Sequence, residues 1–302
     1  MMKSFTYSLC AALLAACASA PEAPVETPSA ASRFADPATI DAAFPPGLAE
    51  VSFESDGDRL NGHIYLANGA GPHPTVILLH GFPGNEKNLD LAQALRRDGF
   101  NVLFFHYRGA WGSEGVYSFT HLIEDVGAAA SFLRAKAADY RIDTAKLITI
   151  GHSMGGFAAL QGAARDPAIA CTGAIAPANL GARVFAFDQS PEFEAGFRAY
   201  ADSLQMLAGF DGERGVAEIR ANAETFELQT LTPGLAGKQV LIVGADKDAS
   251  VSLDNLIRPL IAAYEADPAL RTTGVIMPGD HSFSWSREAL INTVVDWADG
   301  CR

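Results

Sequence analysis

A serine stands where a predicted strand meets a predicted helix, and this junction constrains the fold more than any other stretch. The sequence from Lys146 to Leu160 reads KLITIGHSMGGFAAL. Its apolar, β-branched first part predicts a strand, and the small residues that follow predict a helix. Glycines two positions before and after Ser153 permit a sharp turn that projects the hydroxyl above a sheet edge. The motif therefore predicts that Ser153 is a nucleophile, whereas a tight turn with a helix-capping serine is the other interpretation.

Short apolar runs alternate with segments of helical spacing along most of the chain. Two extended runs flank Asp56-Gly57-Asp58, which predicts a hairpin. The alternation beyond it is typical of an α/β fold whose mostly parallel sheet has right-handed crossovers. Strands are predicted over 75–79, 101–105, 169–176, 239–243 and 273–277, and helices over 89–97, 121–140, 253–266 and 287–298.

The alternation is interrupted over residues 179–235, which contain no good strand and several weak helical patterns. A segment of this length inside an α/β unit predicts an inserted helical cap. Its apolar side chains either line an acyl or alcohol pocket or form the core of the cap itself. They are Phe185, Phe187, Phe193, Phe197, Tyr200, Met206, Leu207, Phe210 and Phe226.

A serine nucleophile needs a base, and the base needs an orienting group, because the hydroxyl is a weak nucleophile at neutral pH. His281 is the predicted base, since it follows the last predicted strand and so lies at the same sheet edge as Ser153. The acid is expected on the loop after strand 239–243. Asp248 is the favoured acid, and Asp246 on the same loop is the alternative.

Two backbone amides are expected to stabilise the oxyanion of an acyl-transfer intermediate. One is the N–H of Met154, at the start of a helix, where unpaired amides favour negative charge. The other is the N–H of Phe82, within the segment HGFPG that follows strand 75–79. A plain Gly-Pro turn is the alternative interpretation of that segment. His152 adjoins the serine but is expected to pack rather than catalyse.

These segments together resemble the α/β-hydrolase superfamily. HGFPG, GHSMGG, the Gly-Ala-Asp-Lys-Asp loop and the late Gly-Asp-His-Ser-Phe occur in that family's chain order of Ser, Asp and His. The segment YRGAWGS, which begins at Tyr107, is similar to bacterial esterases and dipeptidyl-peptidase-like hydrolases. From about Pro46 onward, the resemblance implies an eight-stranded, mostly parallel sheet with helices on both faces, and neither a metal nor an organic cofactor. The doubled aspartate departs from the family pattern and leaves the acid open.

The predicted reaction is the hydrolysis of small-molecule carboxylic esters through an acyl-enzyme on Ser153. A peptidase or acyl-amide hydrolase would use the same triad and is the alternative. A non-catalytic binding protein on a hydrolase scaffold is the alternative from a different class. The net charge of −13 argues against a nucleic-acid partner and mildly disfavours strongly anionic substrates. The oligomeric state stays open.

The first residues predict export from the cytoplasm. A basic start precedes an apolar run, Leu9 to Ala16, that is too short to span a bilayer. The sequence LAAC ending at Cys17 resembles the bacterial lipobox and predicts a signal peptide over 1–16, a lipid on Cys17 and a periplasmic, membrane-attached lipoprotein. An ordinary secretory signal ending at Ala20 is the alternative. Residues 17–46 are predicted to be a linker, either lipid-anchored or disordered, and residues 47–302 the hydrolase domain.

Cysteine usage is compatible with an exported protein. Cys10 leaves with the predicted signal peptide, so Cys171 and Cys301 are the cysteines of the predicted folded domain. An oxidising compartment permits a disulfide between them, but sequence alone leaves two free thiols equally open. No Cys or His spacing is typical of a metal site.

Overall fold

One eight-stranded sheet organises the structure, a computed structural model that describes residues 33–302. The first two strands form an antiparallel hairpin at one edge, and the other six run parallel to one another. The predicted α/β fold with a mostly parallel sheet is therefore confirmed. The strands are β1 (Gly47–Ser55), β2 (Asp58–Leu66), β3 (His73–Leu79), β4 (Asn101–Phe105), β5 (Ile142–His152), β6 (Ile169–Ile175), β7 (Gln239–Ala245) and β8 (Arg271–Met277), in the spatial order β1-β2-β4-β3-β5-β6-β7-β8.

Helices cover both faces of the sheet and divide its core into two clusters. The first and last helices pack on one face, and helices from the middle of the chain pack on the other. The inner parallel strands are buried on both faces, which explains their continuous apolar sequence. The helices are α1 (Leu89–Arg97), α2 (Phe119–Ala135), α3 (Ala137–Tyr140), α4 (Met154–Arg165), α5 (Arg183–Gln189), α6 (Pro191–Asp202), α7 (Gly212–Ala221), α8 (Thr232–Leu235), α9 (Arg258–Glu265) and α10 (Arg287–Asp299).

The strand register brings the carboxyl ends of five parallel strands to one edge. Leu79 pairs with Gly151, and Ile175 lies beside both His152 and Val243. At the far side of the sheet, the end of β7 pairs with the end of β8. The loops that carry the predicted site residues therefore start from a common line.

Helices rather than strands fill the long connection between β6 and β7. Helices α5 to α8 and a 3-10 turn at Leu228–Leu231 occupy it. Elsewhere two predicted helices differ in detail. The helix predicted over 121–140 is broken at Lys136, whose backbone is not helical. The helix predicted over 253–266 begins as a π-turn at Leu253–Ile257, and Pro259, which has no N–H to donate, lies in the first turn of α9 that follows.

Arg33, the first described residue, packs at the amino edge of the sheet. Arg33 is 2% exposed and its Nε donates to Asp98 at 3.2 Å, while Arg302 Nη2 contacts the same carboxylate at 2.6 Å. Residues 1–32, with the predicted signal peptide and Cys17, lie outside the described part of the chain. No helix within residues 33–302 is long and apolar enough to cross a membrane.

A disulfide joins Cys171 in β6 to Cys301, just beyond α10, with an S–S distance of 2.16 Å. It links positions 130 residues apart in sequence and lies at the amino edge of the sheet. Disulfides persist in oxidising compartments, the kind of compartment to which the predicted export signal would lead. The bond restricts the unfolded chain and so stabilises the fold.

Replacing both cysteines with alanine is expected to lower the free energy of unfolding by about 2–4 kcal/mol. Thermal melts with and without dithiothreitol measure this effect. The reductant should lower the melting temperature of the wild type towards that of the variant, and it should leave the variant unchanged. Alkylation of both Cys171 and Cys301 in unreduced, denatured wild type, located by mass spectrometry of the digested protein, would contradict the assignment.

Candidate active site

Ser153 sits on a strained turn between β5 and α4. Its backbone has φ 58° and ψ −120°, a conformation that costs a non-glycine residue about 1–3 kcal/mol. The surroundings hold it there: the Ser153 amide donates to the carbonyl of Ile175 at 2.8 Å, and its own carbonyl accepts from Ala178 at 3.0 Å. The side chain is half-buried and faces a cavity of about 500 Å³.

Two glycines make this turn sterically possible. A Cβ added to Gly151 would lie 2.0 Å from the carbonyl oxygen of Gly155. A Cβ added to Gly155 would lie 2.1 Å from the carbonyl oxygen of Leu79, on the neighbouring strand. Real Cβ atoms do not approach backbone this closely, so both positions require glycine. The pattern around the serine is thus a packing requirement of β3, β5 and α4.

His281 and Asp248 form a close hydrogen-bonded pair. His281 Nδ1 donates to Asp248 Oδ2 at 2.6 Å, across the loops that follow β8 and β7. The imidazole is partly exposed, whereas the carboxylate is 1% exposed. Because Nδ1 is occupied, Nε2 is the ring nitrogen left for other partners. His281 and Ser153 line the same cavity.

The Asp248 carboxylate is held charged in a buried position. Burial acts to raise its pKa, but the hydrogen bond and charge of His281 and the amides of Val251 and Ser250 together lower the pKa below its usual value. Those amides donate to Asp248 Oδ1 at 2.8 and 2.7 Å. Both carboxylate oxygens therefore have donors, which fixes the direction of the carboxylate relative to the imidazole.

Asp246, the alternative acid, makes a different hydrogen bond. Its Oδ1 accepts from the Gly279 amide at 3.0 Å, and the Lys247 amide donates to the Gly279 carbonyl at 2.9 Å. These bonds connect the loop after β7 to the loop after β8. The structure thus brings Asp248 and not Asp246 against His281.

The predicted oxyanion amides flank the serine from two sides. The segment His80–Gly84 passes so close that a Cβ on Gly81 would lie 3.1 Å from Ser153 Cβ. Within residues 33–302, neither the Phe82 amide nor the Met154 amide donates to a protein acceptor. Both residues line the same cavity as Ser153. Two free amides next to a strained serine are suited to binding a negatively charged oxygen.

Side chains from the YRGAWGS segment fix the position of the loop that carries Phe82. Tyr107 donates its hydroxyl to the carbonyl of His80 at 3.1 Å, and Trp111 Nε1 donates to the carbonyl of Pro83 at 2.7 Å. His80 is fully buried, and burial lowers its pKa to about 4. It is therefore a neutral packing residue at neutral pH rather than a proton carrier.

His152 binds the loop that carries His281 through a hydrogen bond. Its Nε2 donates to the backbone carbonyl of His281 at 2.7 Å, and the two rings lie 4.6 Å apart. Burial, followed by the neighbouring His281, lowers the pKa of His152 to about 3. The sequence suggests packing for this residue, and its hydrogen bond across 129 positions was not apparent there.

The cap aromatics divide between the cavity and the interior. Phe193, Phe197 and Tyr200 line the cavity opposite Ser153, together with Phe82. Phe187, Leu207 and Phe226 are buried in the core, and Phe185 is exposed. The aromatic side chains therefore divide into a subset that lines the cavity and a subset that packs in the core. Sequence patterns did not indicate the other lining residues, among them Arg183, which begins α5.

Metal-binding clusters do not occur in the described region. Within residues 33–302, no group of three or more His, Cys, Asp or Glu side chains is arranged to hold a metal ion.

Comparison with known proteins agrees with this arrangement of elements. A model described as "Alpha/beta hydrolase family" matches residues 76–293. An uncharacterized protein of Mycobacterium tuberculosis is 29% identical over 180 residues, which are 56% of this chain and 63% of that protein. The chain thus spans less than two thirds of that curated relative.

Solved structures share the fold at low sequence identity. Est1E from Butyrivibrio proteoclasticus, solved with bound ferulic acid, has a TM-score of 0.60 and 21% identity, with 83% of this chain and 98% of that chain covered. The esterase Pf2001 from Pyrococcus furiosus has a TM-score of 0.57 and 18% identity, with 85% and 92% covered. At these identities the likeness shows the fold alone.

Replacing His152 with leucine is expected to loosen the His281 loop, because the loop loses its hydrogen bond to the carbonyl of residue 281. One neutral hydrogen bond corresponds to up to about a tenfold change in local opening. Hydrogen–deuterium exchange of peptides covering 278–284 should therefore accelerate by up to about tenfold. His121→Leu is the matched control, since it removes an imidazole contact to the carbonyl of Val116 at 2.8 Å elsewhere. Equal exchange of 278–284 in both variants would contradict the role of His152.

Proposed function

The chain belongs to the alpha/beta hydrolase family, and we propose that it is a serine hydrolase that cleaves carboxylic esters through an acyl-enzyme on Ser153. The observation that carries the proposal is the 2.6 Å hydrogen bond between His281 and Asp248 at a cavity that Ser153 also lines. The fold supports many reactions, so the proposal rests on these side chains and not on the family.

In the first half of the proposed reaction, His281 Nε2 accepts the proton of Ser153 as Oγ forms a bond to the ester carbonyl carbon. The carbonyl π electrons move to the oxygen, which the amides of Phe82 and Met154 stabilise. When the tetrahedral intermediate collapses, the bond to the alcohol oxygen breaks. The alcohol leaves with the proton from His281, and the acyl group stays on the serine.

In the second half, water replaces the alcohol. His281 takes a proton from the water, whose oxygen attacks the acyl carbon, and the same amides stabilise the second oxyanion. Collapse breaks the bond to Ser153 Oγ, and the serine recovers its proton. One ester and one water give one carboxylic acid and one alcohol, so no oxidant or cofactor takes part.

Asp248 has the role of orienting the base. Its carboxylate holds the Nδ1–H tautomer of His281, which directs Nε2 away from Asp248, and it stabilises the imidazolium formed in each half-reaction. The buried position strengthens this interaction because little water competes for the carboxylate. Its lowered pKa supports a charged carboxylate at neutral pH.

An ester substrate is supported by the lining of the cavity. Phe82, Phe193 and Phe197 form an aromatic wall around Ser153, which suits an apolar acyl or alcohol group. Two proteins with the same fold also bear on this choice: one is described as an esterase and the other is solved with ferulic acid.

A fluorophosphonate probe tests the nucleophile directly. The Ser153 oxygen should displace fluoride from phosphorus and give a single covalent adduct, located by mass spectrometry of the digested protein. Ser153→Ala and His281→Ala should each lower the turnover of p-nitrophenyl esters by roughly a million-fold, while His121→Ala serves as a matched histidine control. An unlabelled Ser153 in folded protein would contradict the proposal. Preferential cleavage of aminoacyl amides would change the assigned substrate class from esters to amides.

The two aspartates provide a matched pair. Asp248→Asn should lower kcat by roughly ten-thousand-fold because an amide can hold the wrong imidazole tautomer, while its oxygen still accepts the loop amides. Asp246→Asn should change kcat by less than about tenfold, since its oxygen can still accept from Gly279. Steady-state kinetics on one ester compare the variants. Equal losses at both positions would refute the assignment of Asp248.

A further inference from the structure

Arg183 stands between the active-site cavity and a second cavity in the cap. The second cavity has a volume of about 720 Å³ and lies between α5 and the loop after β7. Both cavities are lined by Arg183, Phe193, Ala249 and Ser250. A molecule bound at Ser153 therefore shares its cavity with the guanidinium of Arg183. The second cavity provides further space beyond that side chain.

The guanidinium has no ionic partner within the described chain. No carboxylate within residues 33–302 lies within 4.0 Å of it, and its side chain makes no hydrogen bond there. It instead lies 5.9 Å from the ring centroids of Phe193 and Phe197. Burial lowers the pKa of Arg183, although an arginine stays charged at neutral pH.

Other arginines of the cap show that this arrangement is not general. Arg198 Nη2 lies 2.8 Å from Glu194, Arg220 lies 2.7 Å from Asp188 and Glu194, and Arg214 lies 3.7 Å from Asp211. Those three arginines are partly exposed on the outside of the cap, where they pair with three carboxylates. Arg183 lines both cavities and has no carboxylate within ion-pair distance among residues 33–302, although the net charge is −13.

The two carboxylates that line the cavities have other contacts. Glu192, on the exposed rim, accepts from Ser190 Oγ at 3.3 Å. Glu227 accepts from Asn179 Nδ2 at 2.5 Å and from the Gln229 amide at 3.0 Å, both through Oε1. Neither lies within ion-pair distance of Arg183, so the guanidinium remains available to a ligand.

We propose that Arg183 binds an anionic group of the substrate, a carboxylate or phosphate separated by several bonds from the ester carbonyl at Ser153. The proposal rests on the proposed ester hydrolysis and specifies its substrate class. A guanidinium forms two parallel hydrogen bonds to a carboxylate or phosphate, and these are strong where aromatic walls exclude water. The ester part occupies the cavity of Ser153, and the charged end extends towards the second cavity.

Pairs of esters of similar size, one charged and one neutral, test the proposal. On the acyl side, mono-p-nitrophenyl adipate is compared with p-nitrophenyl hexanoate, and on the alcohol side para-acetoxybenzoate is compared with its methyl ester. In Arg183→Gln, kcat/KM for the charged member of one pair should fall by about ten- to a hundredfold relative to its neutral partner. The affected pair identifies the side that carries the charge. Arg183→Lys should retain part of this preference.

Arg198→Gln is the matched control, because it removes one positive charge from the same cap at a residue that lines neither cavity. It should leave both ratios unchanged. Turnover of the neutral esters reports whether Arg183→Gln is folded. If Arg183→Gln lowers charged and neutral esters by the same factor in both pairs, the proposal is wrong even though the hydrolase function stands.

Calorimetric binding of adipate to Ser153→Ala separates the two proposals further. Adipate should bind this variant, and adding Arg183→Gln should weaken binding by about tenfold or more. If no ester is hydrolysed and Ser153 is not labelled, but adipate binding depends on Arg183, then ester hydrolysis is wrong and the anion site stands. Adipate binding that is independent of Arg183 would overturn the anion site.

Discussion

The site depends on close backbone contact at Gly151 and Gly155, where no side chain separates the neighbouring elements. This contact allows β5, α4 and the end of β3 to approach more closely than any Cβ would permit. Ser153 has its unusual backbone conformation between these glycines, and the loop that carries Phe82 passes close to it at Gly81. The half-buried hydroxyl of Ser153 and the amides of Phe82 and Met154, which have no protein acceptor within residues 33–302, therefore meet where the backbones approach most closely.

The opposite edge of the sheet provides the stability that tolerates this strain. A turn such as that of Ser153 costs about 1–3 kcal/mol, and a disulfide over a long loop contributes about 2–4 kcal/mol. The Cys171–Cys301 bond lies at the amino edge, beside the buried contacts of Arg33 and Arg302 with Asp98. The strained turn and the disulfide that offsets its cost thus lie at opposite ends of the strands. The residues at the carboxyl edge can therefore serve the reaction rather than the stability of the fold.

Local patterns were sufficient to predict the strands, the turn at Ser153 and the loop histidine, because each depends on residues close in sequence. The choice between Asp246 and Asp248 was less certain, since it depends on which carboxylate accepts from Gly279 across two loops. Local patterns could not predict two other features. These are the hydrogen bond from His152 to the carbonyl of His281 and the lack of an ionic partner for Arg183 within residues 33–302. Both depend on which distant groups the fold brings near, and periodicity carries no information about that.

The position of Arg183 also changes what net charge implies about substrates. A charge of −13 disfavours anionic ligands only if the surface carboxylates act at the site. Interactions between exposed charges fall off over about 8 Å at physiological ionic strength, whereas a group in contact within a partly enclosed cavity is screened much less. A single unpaired guanidinium at the substrate can therefore outweigh many distant carboxylates. The outer arginines of the cap are paired with acids, whereas Arg183 lines the cavity and contributes its positive charge to the field at the site.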